Sequence, residues 1–175
     1  MSLLHDLPLN RLTPSRLWGA IDVETRRLAA RCLYDPEQND ASGRAEADAA
    51  IVSALRFRAT AVRRLPVDKR IDYLTRAVHP DDSLATALLR ALHLSRRSEM
   101  LAAFLEKLGI PQQGGVIDTD DELDAPGGDE LVAAVGVLRD AYPAEEVDLY
   151  LAALLSMEPD FWSGLVEIVR PGSHP

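Results

Sequence analysis

The feature that most constrains this chain is a set of apolar stripes wound at helical pitch and cut by prolines. In residues 81–108, Leu84, Leu88, Ala91 and Leu92 recur at the spacing that puts side chains on one helix face. Ala85 and Leu89 widen that face, so burial is expected on more than one side. Five polar residues follow: Ser95, Arg96, Arg97, Ser98 and Glu99. A continuous helix would carry them round more than a full turn and interrupt the stripe. Ser95 suits an N-cap, whose hydroxyl can accept from the free N–H groups of a new first turn. Met100, Leu101, Phe104, Leu105 and Leu108 rebuild the stripe. Gly109 suits a helix end and Pro111 prevents continuation. The expectation is a helical hairpin, preferred over one long helix.

The same pattern runs through the rest. Thr13 and Pro14 read as N-cap and first helical residue. Leu17, Ile21, Leu28 and Cys32 form one stripe, with Trp18 buried beside it, ended by Asp35 and Pro36. Residues 35–43 are turn formers. Residues 44–64 read as one helix, with Ala50, Ile51, Ala54, Leu55, Ala61 and Val62 on one side and Arg56, Arg58, Arg63 and Arg64 around the rest. Pro66 opens a helix carrying Ile71, Leu74 and Val78, and His79 and Pro80 break it. Asp129 caps a helix carrying Leu131, Val135 and Leu138. Pro143 opens another with Val147, Tyr150, Leu151 and Leu154; Pro159 opens the last, with Phe161, Trp162, Leu165, Ile168 and Val169. Leu88, Leu92, Leu101, Phe104, Leu105, Leu151 and Trp162 are the expected core.

No window alternates apolar and polar residues as a strand would. The fold class is therefore all-α: about eight helices in an irregular α-α bundle or short α-solenoid. Residues 1–12 read as an extended arm, 13–108 as a helical part, and 109–128 as an acidic Gly/Pro-rich linker or loop. Residues 129–170 read as a second helical part packing on the first in one domain, and 171–175 as a tail. Within 109–128, Val116 and Ile117 suit a short extended piece tucked against the body.

A faint repeat sets Pro66, Asp68, Tyr73 and Leu74 against Pro143, Glu145, Tyr150 and Leu151 at an offset of 77. Pro80 and Asp81 match Pro159 and Asp160 at 79. A duplication would give two related three-helix units, although prolines at helix starts produce part of the match alone. The periods of tetratricopeptide and ankyrin repeats are absent.

Charge divides unevenly. The net charge is −9, yet residues up to Lys107 hold 17 Lys+Arg against 14 Asp+Glu, and those after it 2 against 14. Solvated helix faces explain most of that; head-to-tail contact between copies, or a basic partner for the C-terminal part, is the sharper reading. A lone Cys32 excludes an intramolecular disulfide framework and suits a reducing, cytoplasmic setting. No signal peptide is expected from the N-terminal residues, and no stretch reaches the roughly 18 apolar residues of a membrane span.

Chemistry-bearing patterns are sparse. Asp118, Asp120, Glu122 and Asp129, within a run that adds Asp121, Asp124 and Glu130, have the alternating carboxylates of a calcium loop. The sixth position is Leu123 in place of Gly, and the twelfth is Asp129 in place of Glu, so a solvated acidic loop is favoured over a metal site. His5, His79, His93 and His174 lack zinc-like spacing; His93, near a helix end, suits a structural role beside the C-terminal dipole. Cys32 reads as a buried structural thiol. No nucleophile elbow, P-loop or dinucleotide fingerprint occurs. No catalytic or cofactor-binding residue is assigned, and no cofactor is expected. Arg90, Arg96 and Arg97 could contact nucleic acid if residues 81–108 formed a helix-turn-helix, with Arg63, Arg64, Lys69 and Arg70 on phosphates. The acidic balance argues against that. The expected function is a non-catalytic, cytoplasmic helical interaction or scaffold protein with a protein partner or a second copy as ligand and no membrane association. A DNA-binding regulator and an enzyme with a site invisible in sequence are the alternatives.

Overall fold

The computed structural model describes residues 9–38 and 40–169, without the side chain of Asn10. His5, His174, most of the expected arm and the 171–175 tail lie outside the described residues. Among those described, the chain is all-α: nine α-helices and one two-strand ribbon. They group into two compact units, Pro14–Ser95 and residues 9–13 with 96–169.

The N-terminal unit holds α1 (Pro14–Ala20), α2 (Val23–Tyr34), α3 (Ala41–Leu55), α4 (Ala59–Arg63), α5 (Val67–Arg76) and the first part of α6 (Asp82–Lys107). Pro14 opens α1, where its missing N–H costs nothing. The single helix expected to continue from α1 is two. The Asp22 carboxylate accepts the Glu24 and Thr25 N–H groups at 2.9 Å and starts α2 afresh. The Thr25 hydroxyl, at 2.6 Å, does most to hold that carboxyl below its ordinary range. The helix expected over residues 44–64 also divides. Arg56 leaves α3 in the left-handed region (φ 52°, ψ 34°), and its N–H and that of Phe57 both donate to Val52 O. Of the residues expected to line it, Ile51 and Val62 are buried, whereas Ala54 and Ala61 are exposed. The preceding loop is shorter than expected, because Asp40 caps α3 through the Gly43 N–H at 2.7 Å. A Cβ at Gly43 would lie 2.9 Å from Leu33 Cδ1, so glycine lets α3 close on α2. α5 lies against both α2 and α3.

Pro80 and Asp81 precede α6, and Asp81 accepts the Leu84 N–H at 3.0 Å. Leu84, Ala85, Leu88, Leu89, Ala91 and Leu92 are buried, as the stripe requires. The polar break narrows to one residue: Arg97 alone leaves helical dihedrals (φ −142°, ψ 28°), and two helical segments meet there without a loop. Ser95 does not cap the second; its Oγ is buried and has no hydrogen-bond partner among the described residues.

In the C-terminal unit, Leu9–Arg11 is a 3₁₀ turn on α8 (Ala144–Met157), with Leu9 and Leu12 buried, rather than an extended arm. Gln112–Gln113 (β1) pairs antiparallel with Val116–Ile117 (β2). Gly114 and Gly115, at φ 59° and 84°, give the turn its two left-handed central residues. Val116 and Ile117 are extended as expected but exposed, not tucked in. The N-cap of α7 (Gly128–Ala141) is Gly127, not Asp129, and the Glu130 carboxylate reaches back to the Gly127 N–H at 2.9 Å. The last helix starts later than Pro159 suggests, since residues 159–164 form turns before α9 (Leu165–Val169). Phe104 lies 5.6 Å from Tyr150 and 5.7 Å from Trp162, ring to ring, and all three are buried. The seven side chains expected in the core are all buried.

The two copies of the faint repeat share helix starts and little else. Pro66 and Pro143 are both N-caps, but α5 has 10 residues and α8 has 14.

Candidate functional site: a cleft beside helix α3

The cleft follows from what α3 lacks. Its sequence, ASGRAEADAAIVSAL, buries only Gly43, Ala47 and Ile51, a stripe one residue wide at four-residue spacing. The flanking positions are mostly alanine, too short to reach neighbouring helices. Clefts therefore remain on both sides. The larger, of about 740 Å³, is lined by Ala45, Asp48, Ala49 and Val52 of α3, Ala59 and Arg63 of α4, and Val67 and Arg70 of α5, with Tyr34 and Arg44 at one end. The second, of about 640 Å³, lies between Ala50, Ser53 and Ala54 and the chain from Ala77 to Leu84.

One wall of the larger cleft is a polar network. The Tyr34 hydroxyl donates to Asp48 Oδ1 at 2.7 Å. Arg70 Nη1 donates to the same carboxylate at 3.1 and 3.3 Å, and its guanidinium carbon stands 4.9 Å from the centre of the Tyr34 ring. Burial first, and the Asp48 carboxylate second, push the Tyr34 phenol far above its usual range, so it stays a donor at any physiological pH. The phenol is thus not available there as a base or nucleophile. Arg70 Nε is buried and has no partner among the described residues. Arg44 donates to the Asp35 and Gln38 carbonyls, at 3.2 and 2.6 Å, and pins the end of the cleft. Arg63 is exposed and unpaired with any carboxylate among the described residues. The surface joins small apolar side chains to cations.

The residues singled out from sequence lie elsewhere. Asp118, Asp120, Glu122 and Asp129 are exposed. No three His, Cys, Asp or Glu side chains among the described residues are placed to share a metal ion. Arg97 turns both Nε and Nη2 onto the Glu146 carboxylate, which commits its fork to a partner within the protein. Arg90 and Arg96 remain exposed. A helix-turn-helix needs a turn of about three or four residues between its helices, and none separates the segments of α6. His93 is fully buried, its Nδ1 2.8 Å from Leu89 O. Burial lowers its pKa to about 4, so it is neutral at pH 7 and does not serve the dipole as a cation. His79 is exposed, and Cys32 is buried. Sequence reasoning noted Arg63 and Arg70 only as general cations and passed over Tyr34 and Asp48. The one available signal was a lone aspartate among alanines at residues 47–50.

No protein-family model, curated protein or solved structure matches this chain. No helix among the described residues is long and apolar enough to cross a membrane.

Proposed function

We propose that this is a non-catalytic helical interaction or scaffold protein that takes up a segment of a protein partner in the cleft along α3. The observation that carries the reading is the cleft itself: about 740 Å³, open to solvent, alanine-floored and edged by Arg63 and Arg70. Its size would also suit a small molecule, but it is open to solvent along α3, and its Tyr34 phenol and Asp48 carboxylate are already engaged with each other and with Arg70. A cytoplasmic setting accords with the lone, buried Cys32.

Ala49→Trp tests the reading, because an indole there fills the cleft from a solvent-facing helix position. Peptide-display selection on the wild-type chain should enrich a recurrent sequence that the Ala49→Trp chain no longer retains. Enrichment of nothing, together with a clear thermal shift from a metabolite panel, would overturn it.

A further inference from the structure

We infer that the segment bound by the cleft is the acidic stretch of a second copy of this chain, residues 116–130. The inference rests on the interaction reading above and names its partner. Residues 56–70, which supply Ala59, Arg63, Val67 and Arg70 to the cleft, carry Arg56, Arg58, Arg63, Arg64, Lys69 and Arg70 against a single carboxylate, Asp68; the other carboxylate in the cleft, Asp48 of α3, is paired with Arg70. All six cations are exposed except Arg70, which is half-buried. Residues 116–130 carry seven carboxylates and no Lys or Arg. All seven are exposed, and none is ion-paired among the described residues.

The match extends beyond charge. The acidic stretch begins with Val116 and Ile117, 50% and 38% exposed, an apolar pair that the ribbon holds out to solvent. The cleft offers an apolar floor of Ala49, Val52, Ala59 and Val67 beside its cations. From residue 118 to 127 the backbone is in neither helix nor strand, so it can follow a groove without first unfolding an element. Whole-unit charges agree. Pro14–Ser95 holds 13 Lys+Arg and 11 Asp+Glu, a net +2; the remainder of the chain holds 6 and 17, a net −11. A unit of one sign meeting a stretch of the other steers encounter and falls off with salt. Each copy carries one basic-edged cleft and one acidic stretch, so the contact joins two different surfaces and can close as a reciprocal pair or extend further.

Sedimentation velocity on the full chain, across a wide range of concentration and at low and high salt, reads the contact. The wild type should associate at low salt, with apparent affinity falling at least about tenfold at high salt, where the screening length shrinks to a few ångströms. Arg63→Glu with Arg64→Glu should remove association, and so should Asp120→Lys with Asp121→Lys. These are surface positions, and circular dichroism checks that each variant keeps its helix content. Mixing the two variants should restore association, since each then meets an opposite charge. A wild type that stays monomeric at low salt, or variants that associate unchanged, or a mixture that stays monomeric, would each overturn the inference. So would binding of duplex DNA through the basic face by a chain that does not self-associate. A monomeric chain that still selects a peptide through its cleft would remove the second copy as partner while leaving the cleft's binding role intact.

Discussion

Helices α3 and α8 have 15 and 14 residues, and both are rich in alanine, yet α8 is buried along most of its length and α3 only along one narrow stripe. α8 buries eight of its residues, including Val147, Leu149, Tyr150, Leu151 and Leu155; α3 buries three, of which only Ile51 is large. The difference lies in the neighbours of the alanines. In α8, leucines and a tyrosine reach out on several sides, and Phe104 and Trp162 meet Tyr150. In α3 the positions beside the buried stripe are mostly alanine, so α4 and α5 leave space against it. Alanine favours helix wherever it stands, but a helix closes its surroundings only when longer side chains accompany it. The closed helix carries stability, and the open one leaves the cleft in which we propose that a partner segment binds.

That contrast can be broken most forcefully at the closed end. Phe104→Ala should cost about 3–5 kcal/mol, since a ring packed on Tyr150 and Trp162 leaves a cavity that its neighbours cannot fill. Urea denaturation measures it, and a loss well below about 1 kcal/mol would mean that the aromatic cluster is not closely packed. The buried imidazole gives the next largest effect. His93 has a pKa of about 4 folded against an ordinary 6.5, so below pH 6.5 the unfolded chain takes up a proton that the folded one refuses. Stability present above pH 6.5 should therefore fall between pH 6.5 and 4, by on the order of 3 kcal/mol. His93→Gln should flatten that dependence, and an unchanged slope would show that the ring is reached by water.

At the cleft, Asp48→Ala strands Arg70 and the Tyr34 hydroxyl, and about 1–3 kcal/mol should be lost. A double-mutant cycle with Tyr34→Phe measures how much of that runs through the phenol. Ala45→Gln, on the exposed side of α3, should change stability by less than about 0.5 kcal/mol. A larger loss there would mean that α3 is packed after all.

Much of the fold was legible from punctuation. Pro14, Pro66 and Pro143 mark helix starts because their fixed φ and missing N–H are tolerated there and not later. The apolar stripes marked the core in most helices; over residues 44–64 the alanine-rich pattern did not, since Ala54 and Ala61 are exposed. The two missed breaks carry no proline. Asp22 restarts a helix through its own carboxylate, and Arg56 turns the chain in a left-handed conformation that nothing in its side chain announces. The cleft was least legible, because it is assembled by Tyr34, Asp48, Arg63 and Arg70 from four helices, and because its defining property is side chains too short to fill a gap. The acidic stretch was plain in the sequence, but the cleft that we propose receives it was not.

Cysteine reactivity tests the contrast most directly. In a Cys32→Ala background, Ala49→Cys on α3 and Ala152→Cys on α8 each place one thiol at an alanine of the native helix. The first should react with a soluble thiol reagent nearly as fast as a free cysteine, and the second should be protected until the chain unfolds. Similar rates at the two positions would contradict the contrast.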